Sequence, residues 1–104
     1  MKTTAFDSSV ATAVENAVIE AYNCKRCDII QFRDSDEKKV VVFILYSWYR
    51  YNWHCIGKAY QMTYLYVPTV AAELEYWYKK DVKVKEKIDL VLAKLKVSEC
   101  LMAS

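Results

Sequence analysis

Glycine, proline and histidine each occur once in this chain, at Gly57, Pro68 and His54. So little turn chemistry argues against a protein of short strands and hairpins, whose turns need residues that reach positive φ or hold φ fixed. One glycine also excludes the glycine-rich loops that cradle phosphate and the glycine-flanked elbow that presents a nucleophile. With one histidine, and with acids falling mostly at helix caps and on solvent faces, paired groups for general acid-base catalysis are missing. No stretch of about 18 or more apolar residues is present to span a membrane, and no basic-apolar-small pattern at the N-terminus marks a signal peptide. The expectation is a soluble, non-enzymatic protein with no cofactor and no small-molecule substrate. It would be cytoplasmic, or packaged in a virion if phage-encoded.

What is present fits one domain over residues 1–104, long enough to bury a useful core without disulfides or metals. Abundant Ala, Val, Leu, Lys and Glu predict an all-α protein, a bundle of five or six helices with no sheet. The net charge of +2, from fifteen Lys plus Arg against thirteen Asp plus Glu, is small for a nucleic-acid binder, so charge distribution has to supply what net charge does not. Four cysteines include a CxxC, Cys24-Lys25-Arg26-Cys27, and His54, Cys55 and Cys100 would in principle complete a tetrahedral shell. Adjacent residues on a helix project about 100° apart, however, and no second CxxC exists. No metal is therefore expected, and a reducing compartment disfavours disulfides.

Hydrophobic spacing places the helices. Asp7 or Ser8 caps a first helix to about residue 22, with Val10, Val14, Ala17, Val18 and Ala21 on one face and Glu15 and Glu20 directed to solvent. A single turn over residues 28–31, capped by Asp28, lies between two loops. Asp34 or Ser35 caps the next helix, over residues 36–51, whose segment 40–46 has no polar group except the Tyr46 hydroxyl. A helix apolar all round is a central one, and Val41, Ile44, Leu45 and Trp48 are expected at the middle of the core. Asn52 ends that helix or caps a short one over residues 53–61. A further helix follows Pro68 to about residue 80, burying Val70, Ala71, Leu74 and Tyr78 and turning Thr69, Glu73, Tyr76, Trp77 and Lys80 outward. Asp81 caps the last, to about residue 97. There Val84, Ile88, Val91, Leu92 and Leu95 repeat at three and four, while Lys83, Lys85, Lys87, Lys94 and Lys96 face water.

The short helix carrying Ile56-Gly57-Lys58-Ala59-Tyr60, a break, and a helix opening at Thr69-Val70 read as a helix-turn-helix. Glycine inside a helix costs about 1 kcal/mol relative to alanine, so Gly57 marks a close backbone approach, expected from the helix that begins near Pro68. Proline is tolerated in a first helical turn because its missing N–H has no partner there. With Val18-Ile19-Glu20-Ala21-Tyr22-Asn23-Cys24 and Asp28-Ile29-Ile30 before this unit and an amphipathic helix after Asp81, residues 10–97 resemble the C-terminal domain of the bacterial chromosomal replication initiator DnaA. The resemblance implies an all-α domain with a Trp-repressor-like helix-turn-helix that binds origin DNA. It also implies a small buried thiol at Cys24. Where that family carries Arg-Asp-His before its Thr-Val, this chain reads Tyr64-Leu65-Tyr66-Val67-Pro68.

On this reading double-stranded DNA is the partner. Lys25, Arg26, Arg33, Lys38 and Lys39, around the loop that meets the backbone in the resembled family, and Lys58, on the first motif helix, hold phosphates. Thr63, Tyr64, Tyr66 and Thr69 meet base edges near the start of the second motif helix. Tyrosine and threonine lack arginine's bidentate grip on guanine, so sequence preference would be weak. The alternative is a structural or protein-interaction subunit of a large assembly, for example a phage particle component. In that case the nine tyrosines and three tryptophans act as interface anchors.

Overall fold

The computed structural model describes residues 6–30 and 35–95, which form six helices with no strand among them. They are α1 (Ser8–Tyr22), α2 (Arg26–Ile30), α3 (Asp36–Ser47), α4 (Trp53–Ala59), α5 (Tyr66–Lys80) and α6 (Val82–Leu95). All six helices carry buried side chains, and the apolar ones form one core. No helix of the described residues is long and apolar enough to cross a membrane.

Side chains from just outside the helices fix where four of them start. The Asp7 carboxylate accepts from the Ser9 N–H at 2.9 Å, Ser35 Oγ from the Lys38 N–H at 3.1 Å, and Asn52 Oδ1 from the His54 N–H at 2.7 Å. Asp81 Oδ1 accepts from the N–H groups of Lys83 and Val84 at 2.9 and 3.3 Å. Each satisfies a donor that has no partner within its own helix. In α2 the cap works backwards. Asp28 lies inside the helix and accepts from the Lys25 N–H at 2.9 Å, so the turn begins two residues earlier than the sequence alone predicts.

The centre of the molecule is α3. Residues 40–45 are all buried, covered by α1, α2, α4 and α5. The helix ends at Ser47, four residues short of the expected 51. Arg50 takes a left-handed conformation (φ 61°), and the chain turns so that the Tyr51 N–H reaches the Leu45 carbonyl at 3.1 Å. Aromatic packing accounts for this early stop. Tyr51 is buried with Tyr49 stacked on it (5.7 Å between centroids, 16°), and Trp48 places an edge on Phe43 at 5.2 Å. Trp48 is consequently half-buried at the rim of the core and not at its middle.

The first and last helices pack side by side. α1 offers Ala11, Val14, Ala17, Val18 and Ala21, and α6 offers Ile88, Val91 and Leu92. At their edge the Lys87 ammonium donates to the Ala21 carbonyl at 3.1 Å and lies over the Tyr22 ring at 5.2 Å. Lys94 pairs with Glu20 at 3.4 Å. α5 packs Val67, Val70, Ala71 and Leu74 inward, and Tyr78 donates from its half-buried ring to Asp89 at 2.5 Å.

Candidate nucleic-acid interface

α4, the six residues 60–65 and α5 form a two-helix unit with a tightly held turn. Gln61 follows the end of α4 in the left-handed region (φ 55°), and the Met62 N–H returns to the Gly57 carbonyl at 2.9 Å. This is the bond that closes a helix whose last carbonyls would otherwise be unpaired. It folds the turn back over Gly57. A Cβ there would stand 2.7 Å from the Met62 carbonyl oxygen and 3.1 Å from both Cα and N of Tyr64. The close approach expected at Gly57 is therefore made by the turn and not by the body of α5. The glycine is needed because backbone occupies the space a side chain would take.

The turn delivers three ring systems to one place. His54, on the first turn of α4, stacks on Tyr64 at 3.9 Å and 18°, and Trp53 sets an edge against each of them at 5.6 Å. Thr63, Tyr64 and Thr69 are exposed, Tyr66 is half-buried, and Leu65 stands 59% exposed between them. Pro68 is the third residue of α5, where no N–H is required. The Tyr66 and Val67 N–H groups reach back to the Thr63 and Tyr64 carbonyls at 2.8 and 3.2 Å.

The structure divides the predicted phosphate contacts. Lys25 and Lys58 are exposed. Arg26 is partly exposed but engaged within the chain, its guanidinium donating to Glu15 and to Asn16. Lys39 is largely covered and lies 3.6 Å from the Glu73 carboxylate. Lys38 is fully buried and partnered within the fold, so it does not reach a phosphate. Helical phase explains it: Lys38 shares a face with Val41, Val42 and Leu45, three, four and seven residues on, all of them buried. Arg33 lies outside the described residues.

The Glu15 carboxylate, expected to face solvent, instead anchors a hydrogen-bonded network. Glu15 has a side chain only 12% exposed. Its Oε2 accepts from the buried Tyr60 hydroxyl at 2.6 Å and its Oε1 from Arg26. One carboxylate thus ties α1, α2 and the end of α4 together. Burial, reinforced by the Glu15 hydrogen bond, pushes the Tyr60 phenol well above its ordinary range. The available signal was spacing, since Glu15 stands four residues after Ala11 and three before Val18, on the edge of the buried stripe.

Of the cysteines, Cys24 is half-buried, its thiol pushed up by burial, while Cys27 and Cys55 are exposed. Among the described residues no three of His, Cys, Asp and Glu gather as a metal site would require. Cys100 lies outside them. A cleft of about 400 Å³ opens between α1, α3, α5 and α6, lined by Tyr22, Lys39, Trp77, Lys83 and Lys87 among others. Of the candidate DNA residues it includes only Lys39. Burial, with Glu37 and Asp36 nearby, pushes the Tyr22 phenol on its wall up to about 12.

Compared with known proteins, the chain matches no family model, no curated protein and no solved structure.

Proposed function

We propose that this chain is a non-enzymatic, helix-turn-helix domain that binds duplex DNA with weak sequence preference, as a replication-initiator origin-binding domain does. The observation that carries the reading is the α4-turn-α5 unit. Its turn is fixed against Gly57, which sets the leading end of α5 and its exposed Thr63, Tyr64 and Thr69 in one orientation. A recognition helix uses its N-terminal residues at base edges while the preceding helix crosses the phosphates. Lys58 on α4 and Lys25 beside α1 are the exposed cations that would meet the backbone. The order of helices and the motif residues resemble the DnaA C-terminal domain and favour the same reading.

With two exposed phosphate contacts, affinity should fall with salt at a slope of about −2 on logarithmic axes. Anisotropy titration of a labelled random duplex from low to moderate salt measures that slope, and Lys25→Ala with Lys58→Ala should flatten it. Replacing Tyr64 and Tyr66 together by alanine should remove any preference among sequences and leave nonspecific affinity mostly intact, because base contacts specify while phosphate contacts hold. Absence of duplex binding by the intact chain at low salt would refute the proposal.

A second reading, a structural or protein-interaction subunit of a larger assembly, is favoured by one observation. Tyr76 and Trp77 stand 55% and 44% exposed on α5, and such rings are the usual anchors of protein interfaces. Recovery of the native chain in a large complex, and its loss when Trp77 is replaced by alanine, would support it over DNA binding.

A further inference from the structure

The exposed side of α5 carries Glu73, Tyr76, Trp77 and Lys80, a spacing of three, four and seven that puts them on one stripe, its Glu73 and Trp77 edge bordering the cleft and Glu73 lying 3.6 Å from Lys39 of the same chain. All four are exposed, and the two rings meet edge to face at 5.2 Å and 82°. The stripe reads the same from either end. Glu73 and Lys80 lie equally far from the point midway between Tyr76 and Trp77, with opposite charges. In an isologous interface residue i meets j and j meets i. Laid antiparallel against its own copy, the stripe sets each Glu73 opposite the other copy's Lys80 and each Tyr76 opposite the other's Trp77. A parallel arrangement would instead oppose like charges at both ends.

We infer that α5 docks on a second copy of itself across a two-fold axis through this stripe, forming an antiparallel dimer with aromatic rings at its centre and an ion pair at each end. The partner is fixed by charge complementarity, since a chain that supplies both halves of each pair needs no other protein. Four side chains cover far less than the roughly 800 Å² that each partner of a standard interface buries, so the dimer is weak and concentration-dependent. The stripe begins one helical turn beyond Thr69, leaving the residues assigned to DNA uncovered.

Sedimentation equilibrium of the full chain without DNA tests the inference apart from the DNA proposal. The weight-average mass should rise towards two copies with concentration. Lys80→Glu, at an exposed position, should hold the chain monomeric by opposing acids at both ends, and Glu73→Lys should do the same with bases. An equimolar mixture of these two variants should dimerise again, because every cross-pair is then attractive, and the double variant E73K/K80E should recover self-association. Circular dichroism of each variant confirms its fold, and K80E carries the test if loss of the Lys39 partner destabilises E73K. A wild-type chain that stays monomeric throughout, or a dimer indifferent to these reversals, would overturn the inference.

Discussion

Replacing Gly57 by alanine sets two effects of known size against each other. Within a helix the change alone is favourable by about 1 kcal/mol, since glycine gives up more backbone freedom on folding. Against it, the new methyl would stand 2.7 Å from the Met62 carbonyl oxygen and 3.1 Å from two backbone atoms of Tyr64. These are main-chain atoms and cannot swing aside, so the turn must shift by several tenths of an ångström and strain the Met62 N–H bond to Gly57. Overpacking of this kind costs typically about 1 to 3 kcal/mol. The expected net loss is about 1 kcal/mol, or roughly 4 to 8 °C in Tm for a domain near this size. Leucine at the same position should cost more. Urea unfolding followed by circular dichroism measures the difference, with Ala59→Gly as the propensity control one turn-end away on an exposed position of α4. A Gly57→Ala variant stabilised by the full propensity gain would show that the turn does not lie over this glycine.

Other perturbations probe the end of α4 and the buried phenols. Gln61→Gly relieves a left-handed residue that costs roughly 1 to 2 kcal/mol, and unfolded-state entropy takes back about half; the urea midpoint should rise at unchanged m, and a fall would count against the cap. Tyr60→Phe leaves Glu15 short of a donor and should cost about 1 to 3 kcal/mol in chemical denaturation, whereas Tyr46→Phe serves as a reference. The raised phenols of Tyr22 and Tyr60 contribute stability that is fully present below about pH 10, where unfolded tyrosine begins to ionise. Above it the unfolded chain binds fewer protons, so stability should fall by up to about 1.4 kcal/mol per pH unit for the buried Tyr60 phenol, and by less for the half-buried, solvent-screened Tyr22. A flat stability profile from pH 9 to about 11.5 would contradict that assignment.

Local chemistry was legible in the sequence. Asp7, Ser35, Asn52 and Asp81 were all readable as caps, because a cap needs only its own helix, and the stripes of α1, α5 and α6 follow from spacing. The outward direction of Thr69 followed from the same spacing, whereas Thr63 and Tyr64 were placed at the surface by the family resemblance. What stayed hidden has two sources, phase within a single helix and partners distant in sequence. Lys38 looked like part of a charged loop edge until helical phase put it beside Val41, Val42 and Leu45. Glu15 looked solvated until Tyr60, 45 residues away in sequence, supplied its donor. The early end of α3 comes from competition between helix continuation and the packing of Phe43, Trp48, Tyr49 and Tyr51, contacts that are local in sequence but whose ring geometry helical spacing does not give.

The pairing of α1 with α6 has a consequence for synthesis. The contacts from Lys87 to Ala21 and from Lys94 to Glu20 join residues 66 and 74 positions apart. A chain emerging from the ribosome presents α1 first, yet the surface that covers its Ala17, Val18 and Ala21 side is made last. Until then the nascent helix can lean on α2, α3 and the end of α4, but the apolar surface that α6 covers stays open to other emerging chains. Closing so long a loop is entropically costly, so the final step of folding should be the docking of α6. Ribosome-bound chains truncated before residue 82 should accordingly be sensitive to protease, and release of the whole chain should bring protection at once.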